Sequence, residues 1–176
     1  MQLIDTAITG AWLVATDARA DERGFFARLW SRDDFAANGL RGDFINGNNS
    51  FSTFKGTLRG LHYQIPPHEE AKLVRCIRGR VFDVLIDMRA DSPTRYKWFG
   101  TELTSENRSL VYVPEGCAHG YLALEDSCEV IYMSTAPYVA EAERGVRWND
   151  PGIGISWPIE PTILSPKDRQ WADVTS

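Results

Sequence analysis

The chain has 176 residues, with 19 Lys and Arg against 24 Asp and Glu for a net charge of -5, and is 43% hydrophobic and 11% aromatic. A single domain over residues 1–176 suits that length, and folding it removes roughly 70% of the unfolded surface from water, so neither disulfides nor a structural metal is needed for a core. The acidic balance excludes bulk nucleic-acid binding, and the lack of any apolar run near the ~20 residues that span a bilayer excludes a membrane helix.

The start, Met1-Gln2-Leu3-Ile4-Asp5, lacks the basic segment and apolar stretch of a secretory signal, so a cytoplasmic protein is expected. One helix is predicted: Ser31 caps it, Asp33 and Asp34 suit its first turn, Phe35-Ala36-Ala37 continue it, and Asn38-Gly39 stops it. The middle reads as strands over Lys72 to Ile77, Arg80 to Met88, Trp98 to Leu103, Ser109 to Val113, Gly120 to Leu124 and Glu129 to Ser134. Turn signals divide them at Arg78-Gly79, Asp91-Ser92-Pro93, Ser105-Glu106-Asn107 and Pro114-Glu115-Gly116. In the second strand Val81, Asp83, Leu85 and Asp87 alternate with Phe82, Val84, Ile86 and Met88, which gives one apolar face and one that carries carboxylates. Many short strands and few helical patterns indicate an all-β antiparallel barrel or double-sheet jelly roll. After Ala140 the sequence reads as a loop-rich tail, with turns at Trp148-Asn149-Asp150-Pro151 and Trp157-Pro158. Such a tail over a barrel mouth often lines a site.

Cys76, Cys117 and Cys128 form no C-x-x-C pair, and an odd count argues against a disulfide framework, so reduced core or near-core thiols are expected. Cys117 stands near His119 in the sequence, which invites a nucleophile reading, although adjacent strand residues point to opposite faces. Two of the three histidines stand in polar, glycine-rich settings: Arg59-Gly60-Leu61-His62-Tyr63-Gln64 and Pro114-Glu115-Gly116-Cys117-Ala118-His119-Gly120-Tyr121. Each is a candidate site residue, and each is alternatively an ordinary histidine with one structural hydrogen bond. In a strand residues i and i+3 would face opposite ways, so Arg59 and His62 share a cavity only if Gly60 bends the chain. His68, in Pro66-Pro67-His68-Glu69-Glu70, reads as part of a solvated turn. A metal on His62 and His119 is an alternative, but the usual H-x-H cluster is missing because position 60 is Gly. Lys72 opens an apolar strand as either a snorkelling surface lysine or a buried cation, and Lys167-Asp168 alone reads as a surface turn.

Several segments together resemble one family. They are Asp21-Glu22-Arg23-Gly24-Phe25-Phe26, Gly56-Thr57-Leu58-Arg59-Gly60-Leu61-His62-Tyr63-Gln64, Ala71-Lys72-Leu73-Val74-Arg75, Val81-Phe82-Asp83-Val84, Pro114-Glu115-Gly116-Cys117-Ala118-His119-Gly120, Trp148-Asn149-Asp150-Pro151 and Ser165-Pro166-Lys167-Asp168. In this order, over nearly the whole chain, they resemble the dTDP-4-dehydrorhamnose 3,5-epimerase family. The resemblance implies a cupin-type jelly-roll barrel, a homodimer, no cofactor or metal, and a nucleotide-diphosphate substrate carrying a 4-keto-6-deoxyhexose. It makes His62 the catalytic base, Asp168 the carboxylate that orients it, Tyr132 the acid on the opposite sugar face and Lys72 the cation near the C4 oxygen. It places Arg23, Phe26, Asn46, Asn48, Arg59, His119, Glu143 and Lys167 among substrate-binding residues, with Tyr138 stacking on the base.

Two positions depart from the family's pattern: Arg28 stands where Phe-x-Glu is usual, and Asn46-Gly47-Asn48-Asn49 precedes Ser50 where Gln-x-Asn is usual. Arginine only donates, so at a nucleoside-binding position Arg28 favours a base carbonyl or a phosphate and alters discrimination among nucleotides; the alternative is that Arg28 points to solvent and dTDP remains preferred. The implied chemistry fits the residue types. A ketone acidifies C3 and C5 only weakly, so a cation such as Lys72, supported by His119, must stabilise the enolate, while a neutral-pKa base and an opposed acid carry the inversion. The diphosphate gives Arg23, Arg59 and Lys167 a function within an acidic chain. Epimerisation at one carbon, a metal-dependent cupin enzyme and a non-catalytic nucleotide-sugar binder are the competing readings. The apolar segment Trp12-Leu13-Val14 is expected to pair with a neighbouring sheet edge and so support the dimer.

Overall fold

Val-, Leu- and Ile-rich segments separated by turns form strands, and the computed structural model, which describes residues 1–174, arranges them in two principal sheets. The strands are β1 (Gln2–Asp5), β2 (Trp12–Ala15), β3 (Arg19–Asp21), β4 (Gly24–Phe26), β5 (Asn46–Ser52), β6 (Leu58–Gln64), β7 (Lys72–Arg78), β8 (Arg80–Asp87), β9 (Trp98–Thr104), β10 (Leu110–Val113), β11 (Cys117–Ala123), β12 (Cys128–Ser134) and β13 (Glu143–Gly145). Two short helices flank them, α1 (Arg32–Ala37) and α2 (Pro166–Arg169). One sheet runs β1-β2-β10-β7-β12-β5 and the other β13-β6-β11-β8-β9, while β3 and β4 form a separate hairpin. The expected all-β jelly roll with a loop-rich tail is the observed architecture.

The core lies between the two sheets. Val74 and Cys76 of β7, Val111 and Val113 of β10 and Val130 of β12 meet Val81 and Leu85 of β8, Leu103 of β9 and Tyr121 of β11. The opposite face of β8 is apolar as well: Val84 and Ile86, with Leu61 and Ala118, are covered by Val146, Ile153 and Trp157 from the C-terminal tail. The tail is therefore the outer layer of the five-stranded sheet. Helix α1 covers the outer face of the six-stranded sheet, with the Ser31 hydroxyl accepting from the Asp34 N–H as predicted. Its one buried side chain, Phe35, meets Phe44 and Tyr112 edge to face at 6.1 and 5.7 Å.

One expectation is corrected. Trp12-Leu13-Val14 offers no free edge, because β2 lies between β1 and β10 and pairs with both. The cysteines are the free, buried thiols expected, and at Cys117 burial pushes the thiol up to about 12, which suits a core residue and not a nucleophile.

The pairing of β6 with β11 sets up the site. His119 lies opposite His62 and Tyr121 opposite Arg59, so two steps on β11 match three on β6. This one-residue bulge reverses the alternation, leaving Leu61 in the outer apolar layer and both Arg59 and His62 on the inner side. The condition set by the sequence, a bend at Gly60, is met. Gly60 has φ +114, and a Cβ there would stand 2.6 Å from the Gly120 Cα and 2.7 Å from the His119 carbonyl oxygen.

Candidate active site

The inner faces of β5, β6, β7, β11 and β12 are polar at one end of the barrel, where α2 covers the opening. They enclose a cavity of about 460 Å³ lined by Asn48, Arg59, His62, Lys72, His119, Tyr132, Lys167 and Asp168 among others. An adjoining space of about 310 Å³ shares Asn48, His62, Lys72 and Tyr132 and adds Asn46, Gln64, Glu70, Tyr138 and Glu143. A larger cleft of about 560 Å³ lies elsewhere, around Met88 and Pro93. Its Arg89 is engaged by the buried Asp87 at 2.8 Å.

His62 Nε2 lies 2.6 Å from the Asp168 carboxylate, which comes from α2 with Ser165 as its cap. Burial pushes the Asp168 carboxyl up, but the hydrogen bond and charge of His62, the Ser165 cap and the Gly60 N–H outweigh it and hold it below the usual carboxylate range. An ionised carboxylate only accepts, so Nε2 carries a hydrogen, and Nδ1 is the nitrogen left with a lone pair whenever the ring is neutral. Nδ1 faces the Glu143 carboxylate at 3.7 Å. The Trp171 ring packs edge-on against the imidazole, with centroids 6.1 Å apart. Gly145, opposite His62 in the β13–β6 register, makes room for it, since a Cβ there would fall 2.1 Å from the indole.

Across the cavity, on the other sheet, Tyr132 extends from β12. Burial raises its phenol above the ordinary range, and the Glu70 charge and Tyr121 add to this. Lys72, at the start of β7, has its ammonium 2.9 Å from Glu70. His119 forms a second imidazole–carboxylate pair with the fully buried Asp83, at 2.9 Å. Arg59 is fixed by the Ser52 hydroxyl at 3.2 Å and the Phe51 carbonyl at 2.8 Å. The Tyr121 hydroxyl bonds Ser50 at 2.9 Å on the same wall.

At the rim, Glu143 accepts from the Tyr138 hydroxyl at 2.7 Å and pairs with Lys167. Burial pushes Glu143 up, but Lys167, Tyr138 and His62 bring it below its usual value; burial lowers Lys167, but Glu143 more than reverses that. Among the described residues, no group of three or more His, Cys, Asp or Glu side chains is placed to hold a metal ion. Among the described residues, no helix is long and apolar enough to cross a membrane.

The model of the dTDP-4-dehydrorhamnose 3,5-epimerase family matches residues 5–176. The chain belongs to this family. It is 44% identical over 173 residues to the dTDP-4-dehydrorhamnose 3,5-epimerase of Methanothermobacter thermautotrophicus, covering 97% of this chain and 92% of the relative. The crystal structure of the Elizabethkingia anophelis epimerase superposes with a TM-score of 0.96 at 38% identity, covering 99% of this chain and 97% of that one. That of the Bacillus anthracis epimerase, with TDP and PPi bound, gives 0.93 at 37% identity, with coverages of 97% and 98%.

Against the epimerase-family expectations, the fold brings His62, Tyr132, Lys72, Asp168, Arg59, His119, Asn48 and Lys167 into one cavity, and Asn46, Tyr138 and Glu143 into its extension. Arg23, Phe26 and Arg28 are not brought there, because the β3–β4 hairpin and the segment after it stand apart from both sheets. Arg23 pairs with Asp21 in its own hairpin, Phe26 is 71% exposed, and Arg28 lines a small hollow with Asp17 and Asp34. Within its own chain Arg28 therefore does not line the cavity. Sequence reasoning assigned no site role to Glu70, Gln64, Asp83, Trp171 or Gly145. Of these, Gln64 and Asp83 lie in segments that carry the family resemblance, and Asp83 also stood out as one of two carboxylates on one face of an alternating strand.

Proposed function

We propose that this cavity epimerises C3 and C5 of a thymidine-diphosphate-linked 4-keto-6-deoxyhexose, without metal or other cofactor. The observation that carries the reading is the opposition of His62 on one sheet and Tyr132 on the other across a single cavity. Inversion at carbon requires a proton taken from one face and returned to the other, and a base and an acid on facing sheets meet that requirement.

In this reading His62 Nδ1 takes the proton and Asp168 holds the ring in the matching tautomer. The Asp168 and Glu143 carboxylates both face the ring that receives the proton. Lys72 donates to the C4 oxygen as it becomes an enolate, with His119 in support. A preorganised cation in a partly closed cavity contributes most where charge develops. Tyr132 then delivers its proton from the opposite face. Arg59 and Lys167 take the diphosphate, and Tyr138, with its ring exposed at the rim, stacks on the base.

The chain acts as a homodimer in which the β3–β4 hairpin reaches a neighbour's cavity. This accounts for Arg23, Phe26 and Arg28 lying outside their own, and for exposures of 50% at Phe25 and 71% at Phe26. His62→Asn tests the assignment of the base. Turnover should fall roughly 10²- to 10⁴-fold with the fold intact. A folded variant with near-wild-type turnover removes His62 from the mechanism.

A further inference from the structure

The Lys72 ammonium is not free in the cavity. Its partner Glu70 is itself largely enclosed, its side chain 10% exposed against 12% for Lys72, and the two meet at 2.9 Å. The other carboxylate oxygen of Glu70 accepts from the amide of Gln64, a buried residue at the end of β6. The same nitrogen, sharing its two hydrogens, also lies 2.8 Å from the His68 carbonyl and 3.1 Å from the Pro137 carbonyl, and the amide oxygen accepts from the Val139 N–H at 2.6 Å. Behind Glu70, the backbone of Ala71 is pinned to Thr135, with the Ala71 N–H donating to the Thr135 hydroxyl at 2.9 Å and the Thr135 N–H donating to the Ala71 carbonyl at 3.1 Å.

Both neighbours of the Glu70 carboxylate are donors. A carboxylate offers two acceptor oxygens and can satisfy both, whereas an amide of the same shape offers one and turns a donor toward the other neighbour. Only an ionised carboxylate therefore suits the position. We propose that Glu70 is a positioning residue for the epimerisation, holding the Lys72 ammonium where the enolate oxygen forms. The proposal rests on the reading of Lys72 given above. Gln64 contacts both Pro137 and Val139, so the same network fixes the segment that carries Tyr138 relative to Lys72.

The test compares Glu70→Gln in the wild-type and Lys72→Met backgrounds. Turnover and deuterium wash-in at the substrate carbons are measured, and dTDP binding by calorimetry reports the integrity of each variant. In the wild-type background Glu70→Gln should lower kcat and wash-in together by roughly ten- to a hundredfold with KM nearly unchanged, the loss expected for a displaced oxyanion donor. In the Lys72→Met background the same substitution should cost much less, because the part of the loss that runs through the Glu70–Lys72 contact is already gone. Glu70→Asp, which keeps the charge and both acceptors, should retain more turnover than Glu70→Gln. If Glu70→Gln does not fold, Glu70→Asp in the two backgrounds carries the comparison. Wild-type turnover in folded Glu70→Gln, equal losses in both backgrounds, or equal loss in Asp and Gln variants each overturn the proposal. Wild-type turnover in folded Lys72→Met instead removes the assignment of Lys72 itself, and the proposal with it.

Discussion

The Tyr132 phenol is held in its protonated form by burial and by the neighbouring Glu70 charge, so near neutral pH it can give a proton but not take one. Tyr132→Phe should therefore leave proton abstraction by His62 working while removing delivery from the far face. Deuterium wash-in at one or both carbons is expected to persist while the inverted product is lost. An unchanged yield of doubly inverted sugar would assign the acid elsewhere. Much of this site was legible at the level of residues. Glycines beside His62 and His119 marked places where backbone approaches closely, and both imidazoles line the cavity. Glu70 was not legible, because Pro66-Pro67-His68-Glu69-Glu70 has the composition of a solvated turn. Its enclosure depends on Gln64 and Lys72 reaching it from two different strands. Trp171 was hidden for a similar reason: its role against His62 needs the gap at Gly145, and nothing in the tail's sequence points to that pairing.

Among the elements, β6 does most to build the site, since its one-residue bulge puts Arg59 and His62 on the same wall. The alternating apolar pattern made β7 through β12 readable to within a few residues at each end. β5 escaped detection because Asn, Gly and Ser disfavour strands in isolation, and it forms as an edge strand held by full-length pairing with β12. β6 escaped because its inward residues are polar, as a cavity wall requires. The helix α1 was legible from its cap and acidic first turn. What the sequence did not disclose is its dependence on one ring: Phe35 is fully buried between the sheet and the Phe44 side chain. Phe35→Ala should lower stability by about 3–5 kcal/mol, the usual cost of deleting a buried ring. Chemical denaturation should show this as a lower midpoint with turnover per folded molecule retained, because α1 lies outside the cavity lining. A loss below about 1 kcal/mol would mean that α1 contributes little to the six-stranded sheet's outer layer.

For the molecule as a whole, the net charge of -5 coexists with a cavity that gathers Arg59, Lys72 and Lys167, so the acidic surface and the diphosphate-binding role do not conflict. The proposed dimer does not rest on β2, which has no free edge, but on the exposed Phe25 and Phe26 of the β3–β4 hairpin. Light scattering at micromolar concentration should give twice the mass of one chain, and a monomer would contradict the shared-site arrangement. The central claim is that one base, one opposed acid and one oxyanion donor act in turn on both carbons flanking the ketone. The direct measurement is incubation with dTDP-4-keto-6-deoxyglucose in deuterated water, with the position of label and the configuration of the product read by NMR. The account predicts deuterium at both C3 and C5 in a product inverted at both. Label and inversion at C3 alone would make the protein a single-carbon epimerase, and no label at either carbon would contradict the proton-transfer mechanism itself.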